Sequence, residues 1–261
     1  MQKTIVYKAS DQQISWQGIS VADGDMFNSF MANNVSSRLH DEDGGRDFSN
    51  TLRSLTTTGF ASDSLEKILA AEVPEERDWA VGEAMAEAYL MNQHNLTLPW
   101  NMERDKRTPK ASLPGADLVG FEICGGSVRL ALGEVKTSGD VNTPPNVMNG
   151  RSGMAHQIDN LVNNLGLVCQ LLKWLWPRCK MTQHESSFRT AVAVFLNSGN
   201  KDIVLFGFLI RDTPPNELDL KARAQSLAAI VTAPANCHLI ALHIPCSIAD
   251  LPAKVTRGRT S

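Results

Sequence analysis

The stretch PGADLVGFEICGGSVRLALGEVK, residues 114–136, decides how this chain is read. Gly125-Gly126 suits a two-residue hairpin loop, because type I′ geometry needs φ > 0 at both central positions. Cys124 then faces Ser127, and the register follows down both arms. Glu122 falls opposite Arg129, a favourable cross-strand pair that supports the register independently. Asp117 falls opposite Glu134. Side chains alternate between faces, so Asp117 shares a face with Val119, Phe121 and Ile123, and Glu134 shares it with Val128, Leu130 and Leu132. Lys136 joins them two residues on. An apolar face therefore ends in two carboxylates and an ammonium, at what reads as a solvent-facing strand end.

Facing side chains stand roughly 4.5–5.5 Å apart at Cβ, and like charges there repel unless something neutralises them. A divalent cation would do so, since Mg²⁺ takes one or two carboxylates and keeps waters for a substrate phosphate. Asp117 and Glu134 are thus candidate metal ligands, with the Val135 carbonyl as a third. Such a metal polarises a phosphodiester and lowers the pKa of a bound water. Lys136 would position that water or steady the charge on the phosphorane. The plainer alternative is that Lys136 only pairs with the acids at a strand end.

Outward from the hairpin, TIVYKA (4–9) reads as a strand and VADGDMFNSFMANNVSSRL as a helix opening near Asp25. HDEDGGRD (40–47) reads as a polar connector, followed by short helices over DFSNTLRSL and SDSLEKILAAEV. PEERDWAVGEAMAEAYLMNQ (74–93) has Pro74 at its start, acids in its first turn and helix formers throughout. NMERDKRTPK (101–110) reads as a polar loop carrying Arg104, Lys106, Arg107 and Lys110. Beyond Lys136, TSGDVNTPPNVMNGRSG is too rich in Pro, Gly and Asn for regular structure. MAHQIDNLVNNLGLVCQLLKWLW (154–176) has the stripe of one long helix, and its Trp174 and Trp176 read as core. FRTAVAVFL (188–196), DIVLFGFLI (202–210) and NCHLIALHI (236–244) read as strands, the first two joined as a hairpin by NSGNK. ELDLKARAQSLAAIV (217–231) reads as a helix between strands. The order implies α+β (α/β-like) architecture in one main domain.

Composition narrows the class. The chain has 261 residues, 43% hydrophobic and 20% charged, with net charge −3. It is no general electrostatic magnet for nucleic acid, so any grip on DNA must be local or shared with a partner. The odd set of Cys124, Cys169, Cys179, Cys237 and Cys246 holds no CxxC pair, against both a zinc site and a disulfide framework, and each reads as a small buried hydrophobe. No apolar run reaches a membrane-spanning length and the first residues lack a signal-peptide core, so a cytoplasmic protein is expected. No Walker loop, HExxH or GxSxG is present.

Asp117 followed by Glu134-Val135-Lys136 at a strand end resembles the PD-(D/E)XK nucleases. The aspartate here follows PGA rather than proline directly. The resemblance implies a mixed central β-sheet with flanking helices, a restriction-endonuclease-like core. It also implies Mg²⁺, with Mn²⁺ as a substitute. Glu83 in VGEAMAEAYL is similar to the glutamate that the helix before the hairpin supplies in that family, with Glu87 as the alternate. Gln157 stands where some members carry a site glutamine, although Leu161 occupies the place of a following tyrosine. LPGADLVGF and LALGEVKTS, in a chain of this size, resemble more narrowly the HamA-like nuclease subunit of Hachiman-type phage-defence systems. That implies a helicase/ATPase partner and cleavage restrained until triggered.

The division expected is an N-terminal extension over residues 1–60 and a nuclease-like domain over 61–261. DNA phosphates are assigned to Arg104, Lys106, Arg107, Lys110, Arg151 and Gln157. Two functions from different classes follow: a Mg²⁺-dependent deoxyribonuclease using Asp117, Glu134, Lys136 and Glu83, or a non-catalytic subunit that binds DNA ends or a partner through the same fold.

Overall fold

The computed structural model describes residues 1–70, 77–106 and 115–256. Seven strands form one mixed sheet: β1 (Lys3–Asp11), β2 (Ile14–Val21), β3 (Leu96–Thr97), β4 (Leu118–Cys124), β5 (Ser127–Ser138), β6 (Ile203–Arg211) and β7 (Asn236–His243). Their order is β1-β2-β7-β6-β5-β4-β3. Strands β2, β7, β6 and β5 run parallel to one another, and the pairings outside them are antiparallel. β6 reads IVLFGFLIR and is buried along its whole length, as a parallel strand covered on both faces must be.

Helices α1 (Asp25–Ser29) and α2 (Ser36–Leu39) are joined by a π-helical turn over Phe30–Val35. They are followed by α3 (Glu42–Ser54), α4 (Gly59–Ala70), α5 (Asp78–Gln93) and α6 (Met102–Lys106). After the hairpin come α7 (Met154–Asn163), α8 (Leu165–Cys179), α9 (Glu185–Asn197), α10 (Lys221–Ala228) and α11 (Leu251–Thr256). α5 covers one face of the sheet: Gly82 lies against Thr137 and Ile210, and the Tyr89 and Phe208 rings meet at 5.4 Å. α7 and α9 cover the other. Met154 and Ile158 close on Gly207, and the Phe188 ring stands edge-on to Phe121 at 6.4 Å. The expected mixed sheet with flanking helices is the observed architecture.

Several local expectations are corrected. FRTAVAVFL is helix α9, not a strand. Its covered residues Phe188, Ala191, Val192 and Phe195 keep a helical spacing, and Glu185 pairs with Arg189 one turn on. The long helix over 154–176 is two helices. Asn164 leaves the helical region, and its side chain accepts from the Leu167 N–H to cap α8. Most of HDEDGGRD lies inside α3, and residues 102–106 of the expected loop are helical. ISWQGISV, unread in the sequence, is β2, paired with β7 from Ile14↔Cys237 to Ser20↔His243. The first 21 residues thus extend the same sheet as the hairpin. Cys124 and Cys169 are exposed rather than buried. Trp174 packs against Trp100, and Trp176 against Phe188. Among the described residues no helix is long and apolar enough to cross a membrane.

Candidate active site

β5 outlasts β4. Their ladder runs in the expected register from Cys124↔Ser127 to Leu118↔Gly133, with Glu122 facing Arg129 at 3.8 Å. The Asp117 N–H still donates to the Gly133 carbonyl at 2.9 Å, and there the pairing ends. β5 continues for five more residues against β6, with Glu134↔Gly207 and Lys136↔Leu209. Past the end of β4 the Asp117 side chain takes over the strand's role: its Oδ2 accepts the Val135 N–H at 2.9 Å. The N–H and C=O of one strand residue address the same neighbour, so the Val135 carbonyl faces this notch too.

Glu134 stands beside Asp117 and is 5% exposed, so it does not lie at an open strand end as its sequence position implied. Its Oε1 accepts from Lys136 Nζ at 2.5 Å. Burial, and then the neighbouring Asp117 carboxylate, push Glu134 up to about 8 against the opposing pull of Lys136. Two carboxyls held this close need a shared proton or a cation between them. The donor set of two carboxylates and one backbone carbonyl consists of hard oxygens, and it fits Mg²⁺ or Mn²⁺ with water and phosphate oxygens filling the remaining positions. Among the described residues no group of three or more His, Cys, Asp and Glu is placed to hold a metal.

The other candidates fall in different places. Glu83 is half-buried on α5, the helix over the opposite face, and forms no three-carboxylate group with Asp117 and Glu134. Glu87 is fully buried and bonded to Arg38 Nε at 2.7 Å, which makes it a structural residue. Arg151 and Gln157 lie together on the loop and first turns of α7, with Gln157 Nε2 3.5 Å from the Arg151 carbonyl. Arg104 is turned toward Asp41 and Asp105. Lys106 ends α6, and Arg107 and Lys110 lie outside the described residues. Arg211 was not anticipated. It ends the apolar run of β6 and donates to the carbonyls of Asp140 (2.6 Å) and Asn142 (3.0 Å), tying down the loop after Lys136. No sequence signal distinguishes it from a strand-terminal surface arginine.

A second constellation, at the far end of the sheet, resembles a nucleophile and base. Ser15 Oγ lies 2.7 Å from His238 Nδ1. Arg129 Nη1 donates to Asn236 Oδ1 at 2.9 Å, which turns Asn236 Nδ2 toward His238 Nε2 at 3.0 Å. Nε2 is then the acceptor, and Nδ1 carries the proton that it donates to Ser15. This histidine cannot also take the serine's proton. Burial, then His94 and Arg129, hold His238 down at about 4. Its neutral form stabilises the fold fully above the unfolded value of about 6.5, and this contribution is lost as pH falls from there to 4. The total is about 3 kcal/mol. Urea midpoints at pH 7 and pH 5 should therefore fall further for wild type than for His238→Gln; equal falls would refute the assignment.

No protein-family model matches the chain, and among curated proteins none matches it.

Proposed function

We propose that this protein is a Mg²⁺-dependent deoxyribonuclease of the PD-(D/E)XK kind. It would be the effector subunit of a cytoplasmic phage-defence complex with a helicase/ATPase partner, restrained until triggered. The observation that carries the reading is the notch itself: Asp117, Glu134, the Val135 carbonyl and Lys136 converge where β5 runs past β4. A divalent cation bound there would polarise a phosphodiester and activate a water. The Val135 N–H fixes the rotamer of Asp117, and burial beneath α7 fixes Glu134. Lys136 holds its ammonium at the mouth, where charge develops on a pentavalent phosphorus. Arg151, in the loop after β5, and Gln157, on α7, are the phosphate contacts in this reading. The net charge of −3 agrees with a grip on DNA shared with a partner.

A second reading, a non-catalytic subunit binding DNA ends or a partner, draws on the absence of a third carboxylate beside the pair among the described residues. Cleavage of plasmid and linear DNA with Mg²⁺ or Mn²⁺, with and without the proteins encoded beside this one, separates the two. Lys136→Ala should lose on the order of 10³-fold in rate with its circular dichroism unchanged. No cutting by wild type in any mixture, together with no calorimetric metal binding, would leave the second reading standing.

A further inference from the structure

The negative net charge of the chain is unevenly spread. Residues 160–201 hold Lys173, Arg178, Lys180, Arg189 and Lys201 against a single acid, Glu185, a net +4. The rest of the chain holds 20 basic and 27 acidic residues, a net −7. Most of this basic stretch is α8 and α9 rather than loop. Residues 101–106, where the sequence pointed, are a poorer grip, because Glu103 and Asp105 offset Arg104 and Lys106.

α8 turns Val168, Leu171, Leu175 and Cys179 to the core. Lys173, Trp176 and Lys180 follow at i, i+3 and i+7, so they share a different, outward face. Both lysines are exposed, and among the described residues neither forms an ion pair. Arg189 reaches the same face from α9. Its side chain is 67% exposed, and its guanidinium lies over the Trp176 ring at 5.3 Å. The one acid of the stretch is already engaged: Glu185 accepts from Arg189 and from the Met181 N–H, each at 2.8 Å.

α8 also starts beside the notch. Leu167 lies against Gly115, two residues before Asp117. From Leu167 to Lys180 the helix rises about 20 Å. That is about six nucleotides of one B-form strand.

We propose that the outward face of α8, completed by Arg189 of α9, binds the phosphate backbone of the DNA that the notch cuts. Lys173, Lys180 and Arg189 meet phosphates, and Trp176 gives the nucleotides between them a flat apolar contact. A ring set among cations suits nucleic acid better than an acidic peptide. That the polyanion is DNA rests on the nuclease reading; the charge asymmetry and the exposed face do not.

Anisotropy of a labelled duplex of about 20 base pairs, in EDTA so that nothing is cut, tests this as salt rises from about 50 to about 200 mM. Lys173→Gln/Lys180→Gln should bind on the order of 10-fold more weakly at low salt, with unchanged circular dichroism. Its slope of log affinity against log salt should be shallower by about two, because each phosphate contact contributes about 0.9. Lys8→Gln/Lys67→Gln removes two exposed lysines elsewhere and should keep the wild-type slope. No binding by wild type at the lowest salt overturns the proposal. So does an unchanged slope in Lys173→Gln/Lys180→Gln, or an equal loss in Lys8→Gln/Lys67→Gln. Polyglutamate bound as tightly as DNA would assign the face to an acidic protein instead. A chain that binds as expected but never cuts with Mg²⁺ would sink the nuclease reading and leave this surface standing.

Discussion

Glu134→Gln is expected to make the metal-free protein more stable while abolishing cleavage. The sign follows from the folded value of about 8 against about 4.5 for an unfolded glutamate. Between these pH values the folded chain keeps a proton that the unfolded chain releases. Its stabilising effect is complete below pH 4.5 and is lost as pH rises through 8. Wild type therefore gives up about 3 kcal/mol by pH 7, and more toward pH 8. Glutamine imitates the protonated acid and does not titrate, so it escapes that loss. Urea titrations in EDTA at pH 5 and pH 8 should show the variant and wild type close at the first and widely separated at the second. Added Mg²⁺ should narrow the gap by stabilising wild type alone. A variant less stable than wild type at pH 8 would show that Glu134 is a simple ion-pair partner of Lys136.

The other large effect is expected on stability alone, far from the notch. Arg38 Nε bonds Glu87 at 2.7 Å, its Nη2 donates to the Trp100 carbonyl at 2.5 Å, and its guanidinium stacks over the Trp100 ring at 5.2 Å. Arg38→Met leaves the Glu87 carboxylate in the core without its cation, which costs about 3–5 kcal/mol. That is a large share of the roughly 5–15 kcal/mol that holds a domain folded. The double replacement Arg38→Met/Glu87→Leu removes both charges and should recover most of the loss, because desolvating the pair nearly cancels its attraction. Denaturant midpoints of the single and double variants decide it. A single variant within 1 kcal/mol of wild type would mean that water reaches Glu87.

The hairpin was the most legible part of the chain, because a Gly-Gly turn fixes register and register fixes which side chains face each other. That local logic brought Asp117 to Glu134 and Glu122 to Arg129. It could not give the burial of Glu134, which comes from β6 and α7, dozens of residues downstream. Nor could it separate Glu83 from Glu87: both lie on α5, and only Arg38, nearly fifty residues earlier, shows which of them is structural. FRTAVAVFL misled because a short run of Ala, Val and Phe satisfies strand alternation and helical spacing together. ISWQGISV went unread because Gly18-Ile19 shifts its alternation by one residue, and its place in the sheet depends on β7, more than two hundred residues later.

The pairing of β2 with β7, and of β5 with β6, has a consequence for the order of assembly. β5 carries Glu134 and Lys136 but gains its parallel neighbour only once residues 203–211 exist. The sheet reaches its first strands only through residues 236–243. Such long-range contacts make folding slow, and the closing strands leave the ribosome well after the hairpin. A nascent chain therefore carries Asp117, Glu134 and Lys136 well before it has the wall that buries Glu134. The order of synthesis thus separates the making of these groups from the burial that sets their electrostatics: Glu134 lies next to Asp117 in an open strand until residues 203–211 have been made.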